Sequence, residues 1–227
     1  MRAQETLHDG LSALPLHRHR QGYIALVREG RYEEVSPDGR YVCEVGAIVS
    51  HPRFHAHRNR FSTAGARVLN LPMPVPLDYQ VVASTHVEEL ARLAERDPLA
   101  AAMGAVEELS VGHTRPVIPP PWLKQLARAL RQDASRGDCR RIGALTAALG
   151  VSSEHASRTF AEWFGLTPSR YRREHRIRHA VFLLEQGVAP AHVALATGFS
   201  DQAHLTRALK KTTGGTSKTF KPGASES

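Results

Sequence analysis

Residues 1–76 carry apolar side chains in short bursts. The runs GYIALV (22–27), RYEEV (31–35), RYVCEV (40–45) and ARVLNL (66–71) are rich in Val, Ile, Leu and Tyr, the residues that suit a half-buried pleated surface. Turn signals separate them, among them Pro37-Asp38-Gly39. From residue 84 to 109 the apolar spacing changes to threes and fours. Leu90, Leu93, Ala94, Leu99, Met103, Val106 and Leu109 predict the buried stripe of a helical pair, with Pro98 as the break between its members. The segment HTRPVIPPP (113–121) then ends on three consecutive prolines, which forbid helix and favour an extended spacer. Everything after it reads as helix. The expected architecture is α+β in two domains: residues 1–112, a Pro-rich linker at 113–121, and an all-α domain at 122–227.

The helical half repeats itself. Gly150-Val151-Ser152 recurs as Gly198-Phe199-Ser200, Ser157-Arg158 as Thr206-Arg207, and Phe164-Gly165-Leu166-Thr167 as Thr213-Gly214-Gly215-Thr216. Each copy predicts a short apolar helix (Ile142 to Leu149; Ala191 to Thr197), a tight glycine turn, a serine able to cap the next helix, and that second helix itself (Ser153 to Phe164; Asp201 to Thr212). That order is the plan of a helix-turn-helix. Between the copies, Thr167-Pro168 predicts the start of a long helix running to about Glu185, with Tyr171, Ile177, Ala180, Val181 and Leu184 as its apolar stripe.

Charge sharpens this division. The chain has 227 residues and a formal net charge of +8. Residues 1–120 hold 13 Lys and Arg against 14 Asp and Glu, and residues 121–227 hold 17 against 8. The whole positive excess therefore lies in the helical half, which points to a polyanion such as duplex DNA, with plain solubility as the competing explanation. Apolar residues at 41% and charged residues at 23% argue against wholesale disorder. No apolar run approaches the roughly 20 residues of a membrane span, and MRAQETLHDG lacks a secretory pattern, so a cytoplasmic protein is expected. The two cysteines, Cys43 and Cys139, make neither a disulfide framework nor a metal-binding pair.

With the GVS turn, Ser157-Arg-Thr-Phe160, GLTPSRYRREHRIRHAVFLL (165–184) and ATGFSDQAHLTRALKK (196–211) in view, residues 121–221 resemble the DNA-binding domain of the AraC/XylS transcription regulators. That resemblance implies two helix-turn-helix units joined by a long helix, double-stranded DNA and RNA polymerase as partners, and a small-molecule effector and homodimer as further partners. The chain departs from the family pattern at Ala156, Thr159 and Pro190 and lacks the proline after Thr216. On helical geometry, Ala156, Phe160 and Phe164 face inward in the first recognition helix, leaving Ser153, Glu154, Ser157 and Arg158 for bases. In the second, Leu205 and Leu209 face inward, leaving Gln202, Ala203, Thr206, Arg207 and Lys210. Arg can read guanine, Gln adenine and Glu cytosine. The bland alternative for each arginine is a solvated or phosphate-bound charge. Ser152, Ser200, Thr167, Arg170, Arg172 and Arg173 suit phosphate contacts through hydroxyls, helix N-termini and mobile cations.

In the N-terminal half, His17-x-His19, Tyr23 and Gly30 keep the spacing of the first cupin motif with Tyr in place of its Glu. Gly46, Pro52, Phe54 and His57 follow the second with Phe in place of a Gly. Residues 10–76 thus resemble the cupin-like β-barrel that AraC-type regulators use as a sensor. His17, His19 and Tyr23 share strand parity, as do His55 and His57. The three readings open here are a divalent transition metal held by His17, His19 and His57, with His55 as substitute; a metal-free effector pocket using the same side chains; and ordinary packing histidines. Cys43 lies in an apolar strand and reads as a buried structural thiol. Together these features favour a non-enzymatic DNA-binding regulator. The alternative is a metal-dependent cupin enzyme carrying a DNA-targeting domain.

Overall fold

The structure is a computed structural model and describes residues 2–113, 116–138 and 140–220. Cys139 and residues 114–115 of the expected spacer lie outside the described residues. The chain folds as two compact units that meet in sequence between Ile118 and Pro119. Val117, inside the predicted spacer, donates its N–H to the Arg40 carbonyl at 2.8 Å.

The first unit has seven strands: β1 (Gln4–His8), β2 (Ala13–His17), β3 (Tyr23–Ser36), β4 (Gly39–Glu44), β5 (Ala47–His51), β6 (His57–Pro72) and β7 (Gln80–Ala83). All pairings are antiparallel. They run β1-β6-β3-β5-β7, with β2 also on β6 and β4 also on β3. Among the described residues this is an open path rather than the closed ring expected of a barrel. β3 unites two of the apolar bursts, and β7, with Val81 and Val82, lies beyond the last of them. The Pro37-Asp38 turn joins β3 to β4 with Ser36 paired to Gly39.

β3 does not keep one register. Its pairing with β6 shifts between Val27 and Glu29 and again between Gly30 and Tyr32. Gly30 sits there at φ +70°, and a Cβ on it would lie 2.1 Å from the Gly65 carbonyl oxygen, so only glycine fits. The shift changes which parity faces which core. Ile24 and Leu26 pack toward the helices with Ile48, Leu69, Leu71 and Val82. Ala25 and Val27 face a second core, which beyond the shift is joined by the even-numbered Tyr32, together with Tyr41, Cys43, Val49 and Phe61. Cys43 is fully buried and burial pushes its thiol pKa up, consistent with an inert thiol.

Two helices cover the first face, α1 (Val87–Ala94) and α2 (Pro98–Val111). Asp97 caps α2 by accepting the Leu99 and Ala100 N–H groups. Their buried face is Val87, Leu90, Ala91, Ala94, Ala101, Ala102, Ala105 and Leu109. The predicted stripe is only partly buried: Leu93, Leu99 and Met103 are 41%, 58% and 45% exposed. Small alanines let the helices approach closely, and this outweighs the larger apolar residues one step around the helix.

The second unit holds α3 (Pro121–Arg136), α4 (Ile142–Ala148), α5 (Ser153–Phe164), α6 (Pro168–Glu185), α7 (Pro190–Ala196) and α8 (Gln202–Thr213). Leu123, Leu126, Ala127 and Leu130 of α3 form one core with Ala156, Phe160, Phe164 and Tyr171. α6 packs against α3, α5, α7 and α8, and buries Tyr171, Ile177, Ala180 and Leu184 of its predicted stripe. Pro190 opens α7, where its fixed φ suits a first turn. The turns of the two repeats use Gly150 and Gly198 at φ +68° and +75°.

Candidate DNA-reading surface and histidine cavity

α5 and α8 bury the faces assigned to them: Ala156, Phe160 and Phe164 in one, Leu205, Ala208 and Leu209 in the other. Ser153, Glu154 and Arg158 are exposed and Ser157 half-buried; Gln202, Ala203, Arg207 and Lys210 are exposed and Thr206 half-buried. Thr206 returns its hydroxyl to the Gln202 carbonyl at 2.9 Å. The caps differ between the copies. Ser152 accepts the His155 N–H at 3.2 Å, whereas Asp201, not Ser200, accepts the His204 N–H at 2.6 Å. Ser200 instead donates to Asp201 at 3.2 Å and lies 3.1 Å from His204 Nδ1. Thr167 makes no side-chain cap bond.

Three α6 arginines have different fates. Arg170 and Arg173 are exposed, as phosphate contacts require. Arg172 is not a mobile cation: its Nη1 donates to the Arg140 carbonyl at 2.6 Å and lies 3.4 Å from Asp133 Oδ2. Asp133 is fully buried, so Arg172 is held to offset a carboxylate removed from water. Arg140 reaches the same carboxylate through Nε at 2.6 Å. One turn further along, Arg176 donates to the carbonyls of Asp138 and Gly198, tying the segment after α3 to the turn of the second repeat.

In the first unit a cavity of about 590 Å³ opens onto His17, His19, Tyr23, His51, His57 and Asn59. His17 and His57 each have Nδ1 against a backbone carbonyl, Pro15 at 2.7 Å and His55 at 3.3 Å. An Nδ1–H in that position leaves Nε2 as the lone-pair atom. The Tyr23 hydroxyl is 3.3 Å from His57 Nε2. Burial lowers the His57 pKa to about 2, against the pull of Glu34, and burial with His17 and His51 nearby lowers His19 to about 4. Both imidazoles are therefore neutral and able to donate electron pairs. Burial, and secondarily Glu34, raises Tyr23.

Ligand atoms of His17, His19 and His57 lie within 4.8 Å of one another, and so do those of Glu34, His51 and His57. The two trios share His57. The donor types, imidazole with or without one carboxylate, fit a divalent transition metal. His55 is in neither trio: its Nε2 pairs with Asp38 at 2.9 Å and its ring stacks on Tyr79 at 4.3 Å. Phe54, where the motif has glycine, keeps the left-handed backbone at φ +60°.

Glu34 and His51 were not anticipated from the sequence. Glu34 is fully buried and faces His51 Nε2 at 3.1 Å through both oxygens, while Asn59 Nδ2 donates to it at 3.0 Å. Burial opposes its charge, but His51, with His57 and His55 beside it, more than offsets this and holds the carboxyl below the usual range. The sequence signal is the pair Glu33-Glu34 between Tyr32 and Val35, of which Glu34 shares the parity of the apolar Tyr32.

The chain thus joins a sheet-and-helix unit holding a histidine cavity to a unit of two turn-linked helix pairs. Residues 145–222 match a helix-turn-helix domain family. An uncharacterised HTH-type transcriptional regulator of Bacillus subtilis, YbfI, is 48% identical over 56 residues, 25% of this chain. The matched segment spans a fifth of that relative's length. Residues 145–222 are thus similar to helix-turn-helix domains, as the resemblance read from the sequence implies. Among solved structures, fatty-acid-bound ToxT of Vibrio cholerae is similar over 99% of this chain and 98% of its own, at 10% identity and TM-score 0.45. The C-terminal domain of AraT, a response regulator of Geobacillus stearothermophilus, is similar over 44% and 84%, at 20% identity and TM-score 0.41. No described helix is long and apolar enough to cross a membrane.

Proposed function

We propose that the protein is a sequence-specific DNA-binding transcriptional regulator of the AraC type that responds to a small molecule in the histidine cavity. The observation that carries this is the internal repeat, which builds the same glycine turn, buried face and exposed face twice. In this reading α5 presents Ser153, Glu154, Ser157 and Arg158 to base edges, and α8 presents Gln202, Ala203, Thr206, Arg207 and Lys210. Ser152, Thr167, Arg170, Arg173 and Ser200 meet phosphates, and Arg172 is a positioning residue within the domain. Residues 1–112 form a cupin-like sensor, with RNA polymerase and a second copy of the chain as partners in transcription.

The test is genome-wide mapping of bound sites followed by binding of the purified protein to the recovered sequence. The expected site has two short blocks about 10 base pairs apart, one helical turn of about 34 Å, without palindromic symmetry. Affinity should fall steeply with salt as phosphate contacts release counterions. Equal binding to every duplex, with no site recovered, would overturn the reading.

A further inference from the structure

We propose that the cavity holds one divalent transition-metal ion at His57 and that Glu34 and His51, rather than the residue at the motif's carboxylate position, complete its inner ligand set. This rests on the ligand-responsive reading of the cavity but concerns residues no sequence motif marks. In the linear motif the carboxylate position is Tyr23, which has no carboxylate to give. The structure supplies one from elsewhere on the same strand. The register shift around Gly30 brings an even-numbered side chain to the cavity side, and Glu34 arrives next to His57.

Three observations favour this set over His17, His19 and His57. All three side chains are buried and sit on β3, β5 and β6, strands fixed by direct ladder pairing. His17 by contrast is only half-buried at the end of β2, where it pairs with His57 just past a shift in register, and His19 lies beyond the strand and is exposed. The second observation is charge. At the buried trio the Glu34 carboxylate offsets half the charge of a divalent ion removed from water, whereas at the rim trio, with His19 exposed, that charge is left to solvent. The third is outer support. Asn59 holds one Glu34 oxygen at 3.0 Å, the Pro52–His57 segment orients His57 through the His55 carbonyl, and Tyr23 stacks on His51. Oriented ligands of this kind are what metal sites use to fix geometry. His51 Nδ1 and Asn59 Oδ1 are buried with no hydrogen-bond partner, so the polar floor is incomplete as it stands. His17 and His19 would then flank the open side of the ion, where a donor atom of an effector could enter from the cavity.

The experiment titrates the full-length protein with Co²⁺ and Zn²⁺, following stoichiometry and the visible spectrum of bound Co²⁺, with no DNA present. The expected result is one equivalent per chain. Glu34→Gln and His51→Gln should each weaken binding by more than about 100-fold, beyond the roughly 10- to 100-fold typical of an outer partner, and change the cobalt spectrum. His17→Ala/His19→Ala should still bind one equivalent, more weakly. Circular dichroism and a melting curve on each variant separate lost ligation from lost folding; should Glu34→Gln unfold, His51→Gln and the wild-type spectrum decide. Absence of binding by the wild type overturns the proposal. So does wild-type affinity in the Glu34 and His51 variants with loss only in His17→Ala/His19→Ala, which would put the ion on the rim histidines. Neither result bears on DNA recognition, which is read separately.

Discussion

The rings of Tyr23 and His51 lie parallel, 4.4 Å apart at 11°, across a direct β3–β5 register pair. The stack fixes the imidazole that faces Glu34, so the tyrosine positions a cavity wall whatever the cavity holds. Tyr23→Phe keeps the ring and loses one hydroxyl contact with His57; a cost of about 1 kcal/mol is expected. Tyr23→Ala removes the ring and should cost about 3 kcal/mol. Urea denaturation of the three proteins measures both, and equal losses would show that the stack contributes nothing.

Arg158→Ala and Arg207→Ala should each cost about 1 to 3 kcal/mol of binding to the selected site and relax base preference in one block only. Binding-site selection on both variants reads this directly. A variant that loses affinity uniformly across sequences, with a shallower salt slope, would mark its arginine as a phosphate contact.

Asp133 has no exposure and gathers Arg140 and Arg172. Asp133→Ala should destabilise the helical unit by about 3 kcal/mol, since it leaves two cations facing an emptied site. Arg140→Ala, on a half-exposed partner, should cost about 1 kcal/mol or less. Thermal melts of the variants give the order, and a larger loss at Arg140 would refute it.

The two helix caps make opposite predictions for neighbouring residues. Asp201→Ala should lower the melting temperature of the helical unit, while Ser200→Ala should leave it unchanged, because only Asp201 accepts the His204 N–H. That hydrogen bond is the main reason the Asp201 pKa is lowered. A depressed folded-state pKa means stability present above the unfolded value of 3.8 and lost as pH falls through the folded one. Melts should therefore show a constant difference between wild type and Asp201→Ala above pH 3.8 and the two converging as the pH is taken below that value.

The helical half was legible because its signals are local. Glycine turns, a cap, a first-turn proline and apolar positions at three and four residues are all contained within one helix or one turn, so α5 begins and ends where periodicity places it. The β-unit was less so. The register shift near Gly30 reverses parity within one strand, and no count of alternating residues survives that. Glu34 was missed for this reason, and His51 because its partner was. His17, His19 and His57 are grouped in the sequence by the spacing of the two cupin motifs, and their ligand atoms do lie together. In α1 and α2, size misled: alanines are buried and Leu99 and Met103 exposed, since backbone approach, not side-chain bulk, sets that interface.

Arg172 and Arg176 make α6 a ruler as well as a strut. Both arginines grip structure flanking their own helix, one at Arg140 and the other at Asp138 and Gly198. Each added residue turns a helix by about 100° and lengthens it by about 1.5 Å. A single alanine inserted between Ala180 and Leu184 would therefore turn the buried Leu184, and everything after it, by that angle relative to Ala180 and to the Arg176 contact with Gly198. If α5 and α8 read DNA as proposed, the spacing of the two blocks they recognise is set by the length of that one helix.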